Sequence, residues 1–190
     1  DVGVISREDA ISYGITGPFL RSTGVAYDVR KAHPYAAYRE VDFEIPVGEN
    51  GDCYDRYKVR MAEMEQSMRI IEQALGKLPK GPVNVEDPRF VFPPKQAVYT
   101  TIEGMINHFR LVYDDVHPPK GEAYGYAEGG NGEVGFYVVS DGGNKPLKCR
   151  VRPPCFTIVA ALGKILEGHM VADIVPIYGS VNMIGGEMDR

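Results

Sequence analysis

The stretch DCYDRYKVRMAEMEQSMRIIEQALGKL, Asp52 to Leu78, carries the strongest periodic signal in the chain. Its apolar residues fall at Tyr57, Met61, Met64, Met68, Ile71, Leu75 and Leu78, in alternating steps of four and three, which is one stripe of a long amphipathic helix. Lys58, Glu63, Glu65, Arg69 and Glu72 occupy the other side, and Pro79 prevents continuation. The methionines are expected to fill a core rather than to form an adaptable groove.

Downstream, Pro79 to Lys95 is proline-rich and is the one candidate linker, although the elements on either side look too incomplete to stand alone. A second helix is expected from Gln96 to Tyr113, with Val98, Ile102, Met105, Phe109 and Val112 again at four-three spacing. Neither stripe sustains a coiled-coil repeat, so the two predict a bundle. His108 stands beside the second stripe with no partner ligand at helical spacing and reads as a structural histidine. After Pro118-Pro119 the period becomes two. Ala123–Glu128, Glu133–Ser140 and Leu147–Arg152 read as three antiparallel strands joined by Gly-rich turns. The turn Gly129-Gly130-Asn131-Gly132 is no phosphate loop, since a strand and not a helix follows it. A helix from Phe156 to Leu166 capped by Gly168 comes next. A short apolar helix from Met170 to Tyr178, which has little reason to face water, and a tail complete the chain.

Upstream, Ser6-x-x-Asp9 opens a helix over residues 7–13 that Gly14 stops, and Gly17 to Arg21 forms another helical turn ended by Gly24. The region 25–50 mixes Tyr27, Tyr35, Tyr38 and Phe43 with Arg30, Lys31, His33 and Arg39; it reads as irregular, with a strand over Val41–Ile45. Its arginine guanidiniums are expected to stack on its tyrosines at a packed interface, with an anionic or aromatic ligand as the other reading.

The 190 residues can bury a sizeable core. A net charge of −5 argues against a primary nucleic-acid binder. No run reaches the ~18 apolar residues of a membrane span. The three cysteines, Cys53, Cys149 and Cys155, show no Cys-x-x-Cys, so a reducing compartment is expected. The start at Asp1 predicts a fragment. No nucleophile–base pair or zinc spacing can be argued, so residue chemistry alone supports an α+β domain of an assembly.

Several long motifs go further. Gly14-Ile15-Thr16-Gly17-Pro18-Phe19-Leu20-Arg21, Gly51-Asp52-Cys53-Tyr54-Asp55-Arg56-Tyr57, Gly135 to Gly142, Gly168 to Asp173 and Gly186-Glu187-Met188-Asp189-Arg190 occur in an order that resembles the 49-kDa subunit of proton-pumping NADH:quinone oxidoreductase (respiratory complex I). The resemblance spans the whole chain and implies the C-terminal half of that subunit. It also implies kinship with the large subunit of nickel–iron hydrogenases, whose C-terminal metal motif aligns with Asn182 to Arg190. There Ile184 and Glu187 stand where the two cysteines would be, and Asn182 and Arg190 at its ends. Without thiolates the nickel site is lost.

What the resemblance implies is an α+β fold, a helical bundle core with a small antiparallel three-stranded sheet, within a hydrogenase-large-subunit-like fold. Its parts would be a helical region (1–115), the sheet (120–153), and C-terminal helices with the tail (154–190). Asn182, Ile184, Gly185, Gly186 and Glu187 would line a quinone-headgroup cavity, with Ile184 as apolar wall and the glycines allowing close approach. Quinone would be substrate, and no catalytic residue is carried over to this half. No metal or cluster is expected on this chain; NAD, FMN and iron–sulfur clusters would belong to partner subunits. The partners would be the adjacent iron–sulfur subunit and the membrane arm. Association would be peripheral, on the cytoplasmic side of a bacterial inner membrane or the matrix side of the mitochondrial one. The other reading is a structural and assembly module with no ligand contact.

Overall fold

The computed structural model describes residues 1–114 and 117–189, so Arg190 lies outside the described residues. Helices and one three-stranded sheet divide into two compact units. The larger comprises Asp1–Leu78, Gly125–Phe136 and the chain from Val151 onward; the smaller comprises Pro79–Tyr124 and Tyr137–Arg150.

In the larger unit, helix α1 (Arg7–Ser12) begins where Ser6 Oγ accepts a bond from Asp9 N at 3.1 Å, and Gly14, at φ +70°, lets the chain turn away from its end. Helix α2 (Gly17–Arg21) follows at once, with Pro18 in its first turn. Ile5, Ala10, Ile15, Phe19 and Leu20 from this region form one core with Ile158, Ile165, Ile177 and Val181 from the C-terminal helices. Helix α3 (Val29–Ala32) is capped by Asp28, whose Oδ1 accepts from Arg30 N at 2.9 Å.

Helix α4 (Cys53–Gly76) is the long helix that the periodicity predicts, capped by Asp52, whose Oδ1 accepts from Asp55 N at 2.8 Å. Its orientation differs from the expectation. The face packed on this chain carries Asp55, Arg56, Val59 and Gln66, whereas Met61, Met64, Met68, Ile71 and Leu75 are 44% to 67% exposed. The methionines therefore fill no core of this chain. At ~100° per residue the two sets lie on opposite sides of the helix.

The expected strand at Val41–Ile45 does not form a ladder. Val41 and Phe43 do alternate inward, but the extended segment is held by α4 instead of by another strand. Gln66 Oε1 accepts from Glu44 N at 3.0 Å, and Gln73 exchanges two bonds with the backbone of Asp42, at 2.8 and 2.7 Å. Two side-chain amides thus satisfy the donors and acceptors that a sheet would otherwise take. Arg30 lies over the Tyr38 ring at 5.9 Å, an arginine–tyrosine contact of the kind expected, but the closer cation contacts are to Phe43, with Arg30 at 4.9 Å and Lys31 at 4.5 Å from its centroid.

The sheet has the order β1–β2–β3, with β1 (Gly121–Gly129), β2 (Gly132–Ser140) and β3 (Lys148–Arg152) antiparallel. In the smaller unit, the helix expected over residues 96–113 is broken at Thr101 into α5 (Lys95–Thr100) and α6 (Ile102–Phe109), followed by one π-helical turn, Arg110–Asp114. Thr101 is extended, and its Oγ1 accepts from Gly104 N at 3.1 Å while donating to Ala97 O at 2.9 Å. A β-branched hydroxyl that can cap a new helix wins over continuation of the old one. His108 lies against Phe92, the ring centroids 5.7 Å apart.

Back in the larger unit, the helix expected over residues 156–166 begins earlier and bends, giving α7 (Pro154–Ala160) and α8 (Leu162–Leu166). The apolar run from Met170 starts as a 3₁₀ turn, Val171–Asp173, and continues as α9 (Ile174–Val181). Of Met170–Tyr178 only Ile177 is buried, with Val181 beyond it; Met170, Val171 and Val175 face outward, contrary to the expectation that the run avoids water.

Candidate functional site

The tail leaves α9 through Asn182, which holds a left-handed conformation, φ 53° and ψ 45°. Asparagine is among the few residues that adopt this readily. Asn182 Nδ2 donates to Asn131 Oδ1 at 2.8 Å, and Asn131 Nδ2 donates back to the Asn182 carbonyl at 3.0 Å. Asn131 sits in the β1–β2 turn and is itself buried, so the hairpin tip and the end of α9 are joined through two amides. Beneath them, the same Asn131 amide lies 3.3 Å from the Cys155 thiol, which is fully buried.

Five residues on, Glu187 Oε2 accepts from Cys155 N at 2.9 Å at the start of α7. A carboxylate suits that position, where the first amides of a helix have no internal acceptor. Burial, with the Glu187 carboxylate alongside, pushes the Cys155 thiol above its ordinary pKa. Asn182 and Glu187 are therefore two anchors, and the short 3₁₀ turn Gly185–Glu187 with Ile184 spans the interval between them. Ile184 is 51% exposed.

Gly186 and Glu187 also form one edge of a groove of about 390 Å³, whose other walls are Val134, Phe136, Val151 and Pro153, with Asp189 at its end. The sheet supplies an apolar floor because β2 and β3 present alternate residues to one face. Of the five residues expected at the site, Gly186 and Glu187 line this groove, whereas Asn182, Ile184 and Gly185 do not. Sequence reasoning missed Asn131, Cys155 and the sheet residues; nothing in their local patterns marks them. Nor do Gly185 and Gly186 meet any backbone: a Cβ built on either has open space around it.

The end of α9 is held from below by Arg56, which is fully buried. Its Nε donates to Ser180 Oγ at 3.0 Å, Nη1 to Gly51 O at 2.8 Å and Nη2 to Gly3 O at 2.8 Å, and the guanidinium lies 4.4 Å from the Phe19 ring centroid. Burial without a hydrogen-bonded carboxylate holds its pKa below the ordinary arginine range. Arg152 ties β3 to the loop before α2, donating to Thr16 Oγ1 at 3.0 Å and Gly14 O at 2.7 Å.

A second charged cluster lies between α2, α4 and β1. Arg21, fully buried, binds Glu63 at 2.5 Å and Glu128 at 2.9 Å, with Asp28 at 3.6 Å. Burial opposes its charge, but Glu63 and Glu128 outweigh it and hold the pKa up. Burial raises the pKa of Glu128, offset in part by Arg21. Asp28 goes the other way: burial opposes its charge too, but the hydrogen bonds from Arg30 prevail. Every member is paired, so the cluster reads as structural.

The tail does not fit a nickel site. Cys155 is one thiol, Glu187 is engaged by backbone, and among the described residues no group of three or more His, Cys, Asp or Glu could hold a metal ion. None of the described helices is long and apolar enough to cross a membrane.

The profile of one family, described as respiratory-chain NADH dehydrogenase, 49 Kd subunit, matches residues 1–190. The chain belongs to this family. An NADH-quinone oxidoreductase D-type subunit of Sorangium cellulosum (strain So ce56) is 54% identical over 190 residues, covering 100% of this chain and 47% of the relative. The corresponding subunit of Myxococcus xanthus (strain DK1622) is 54% identical over 188 residues, 99% of this chain and 45% of that protein. That of Methylacidiphilum infernorum (isolate V4) is 50% identical over 190 residues, 100% of this chain and 46% of the relative. The chain thus spans about half the length of the curated relatives it matches.

Proposed function

We propose that this chain is the C-terminal part of the 49-kDa subunit of an NADH:quinone oxidoreductase, and that its tail forms one wall of the chamber in which quinone is reduced. In this reading electrons pass from NADH through FMN and iron–sulfur clusters in partner subunits to the quinone, with no redox centre on this chain. An adjacent iron–sulfur subunit and the membrane arm are its partners, and association with a bacterial inner membrane is peripheral, on the cytoplasmic side. The fold it shares in is that of the hydrogenase large subunit, with the metal loop turned into a ligand wall.

The observation that carries the proposal is the two-anchor geometry of the tail. The Asn182–Asn131 amide pair and the Glu187–Cys155 bond fix both ends of the segment and leave Ile184 facing outward. An apolar residue held outward on a braced backbone, beside an apolar groove, suits a largely apolar ligand. A photoactivatable azidoquinone tests this in the intact complex. Labelled peptides from residues 182–189 or 134–136 are expected. Labelling confined to other segments and subunits contradicts the reading.

A further inference from the structure

Arg56, Arg60 and Glu63 follow one another at helical spacing along the inner face of α4. Arg21 and Arg56, the two fully buried arginines among the described residues, bond through Nε and through terminal nitrogens to carboxylates, carbonyls or a hydroxyl at 2.5–3.0 Å. Arg60 differs. Its Nε is buried and has no hydrogen-bond partner among the described residues. The carboxylate one turn on, Glu63, is taken by Arg21 at 2.5 Å. Burial and then the like charge of Arg56 hold the Arg60 pKa below the ordinary arginine range, although a guanidinium keeps its proton at neutral pH. A buried charged donor without an acceptor costs stability and calls for an explanation in function.

The place of Arg60 supplies one. The Cys155 thiol is among the groups close enough to act on its charge. Cys155 is also where the two tail anchors meet: Asn131 Nδ2 lies 3.3 Å from its sulfur, and Glu187 Oε2 accepts from its backbone N at 2.9 Å. Arg60 therefore lies toward the base of the segment that carries Ile184.

We infer that Arg60 donates to a carbonyl oxygen of the quinone and stabilises the negative charge that reduction places there, an inference that rests on the chamber reading of the tail. The quinone takes two electrons from the partner subunits' clusters and two protons from water, and leaves as the quinol. Negative charge stands on its oxygens between the arrival of an electron and that of a proton. A guanidinium already neutralised by a carboxylate, as Arg21 is, does little for that charge. One held in place without a counter-ion acts on it at full strength and needs no rearrangement when the charge appears. Arg60 keeps its own proton throughout, so it is an electrostatic stabiliser and not the acid.

The test uses the intact complex carrying Arg60→Gln or Arg60→Lys, with decylubiquinone as acceptor and azidoquinone labelling alongside. NADH oxidation by a hydrophilic artificial acceptor reports assembly. The expected result is a kcat with decylubiquinone lower by about tenfold or more in Arg60→Gln, with KM changed much less. Arg60→Lys, which keeps the charge but not the planar fork, should recover part of that loss. Unchanged kinetics in an assembled Arg60→Gln complex overturn the inference. A raised KM with kcat unchanged does so as well, because the charge forms only on reduction. So does failure of both variants to assemble, which makes Arg60 part of a structural ion pair. Labelling separates the two claims: a labelled tail with unchanged Arg60→Gln kinetics removes the arginine's role alone, whereas a wild-type tail that takes no label removes the chamber reading.

Discussion

Asn182 and Asn131, 51 residues apart in sequence, exchange two hydrogen bonds, 2.8 Å from the Asn182 amide to the Asn131 side-chain carbonyl and 3.0 Å in return to the Asn182 main chain. The pair fixes where the tail starts. Because Asn182 also holds a positive φ, its two contributions can be separated. Replacement by Gly loses the side-chain bond but keeps the backbone conformation, at about 1 kcal/mol. Replacement by Ala loses the bond and adds left-handed strain of about 1–2 kcal/mol. Thermal unfolding of the full-length subunit should rank wild type above Asn182→Gly above Asn182→Ala; equal loss in both variants would mean that strain has no part.

Arg21→Met removes the one cation that, among the described residues, hydrogen-bonds Glu128, and it leaves that buried carboxylate without its ion pair, whereas Asp28 keeps Arg30 at 2.6 Å. A destabilisation of about 3–5 kcal/mol at neutral pH is expected. The sign of its pH dependence follows from linkage. In the variant Glu128 holds its proton to higher pH when folded than when unfolded, where a glutamate titrates near ~4. The folded variant therefore loses stability as pH rises above that value. Wild-type Asp28, held low by Arg30 and Arg21 against burial, instead contributes stability above its unfolded pKa. The gap between wild type and variant should be widest at pH 7 and narrow at pH 5, read by denaturant unfolding at each pH.

Two glycines should respond in opposite ways to alanine. A Cβ on Gly17, at φ +73°, would sit 2.5 Å from Gly132 Cα and 2.6 Å from the Asn131 carbonyl carbon. Gly17→Ala should displace the hairpin tip, cost several kcal/mol and weaken the Asn131–Asn182 pair. Gly186→Ala meets open space and should leave the melting temperature within the range of a neutral surface change. Differential scanning calorimetry on the two variants decides both.

The Cys155 thiol is buried and its pKa is raised by burial and by Glu187, so little thiolate forms at neutral pH. In the native full-length protein, alkylation by iodoacetamide should spare Cys155 and modify it only on unfolding, as followed by mass spectrometry. Rapid native labelling would show that the Glu187 anchor opens.

The periodicity of Met61, Met64 and Met68 discloses a long helix and which of its faces is apolar, yet it carries no information on what covers that face. Here the inner face is made of Arg56, Glu63, Gln66 and Gln73, so polar side chains pack inward and the pattern points away from the core. Val41–Ile45 shows the same limit: the alternation is present, but Gln66 and Gln73 take the backbone bonds of a strand. Thr101 breaks a helix that the four-three spacing continues, because capping by a single hydroxyl leaves no periodic trace. At the tail, Gly186 and Glu187 form one edge of a groove. Asn131 and Cys155, which hold the tail at Asn182 and Glu187, are 51 and 32 residues from the groups they bind, and no local pattern links such distant positions.

Whether Ile184 faces the ligand chamber is tested most directly by steady-state kinetics of the assembled complex carrying Ile184→Trp. The variant should assemble and oxidise NADH with a hydrophilic artificial acceptor at the wild-type rate, while quinone reduction shows a KM raised or a kcat lowered by about tenfold, the effect of ~1.4 kcal/mol. Unchanged quinone kinetics in an assembled Ile184→Trp complex would contradict the tail's place in the chamber wall.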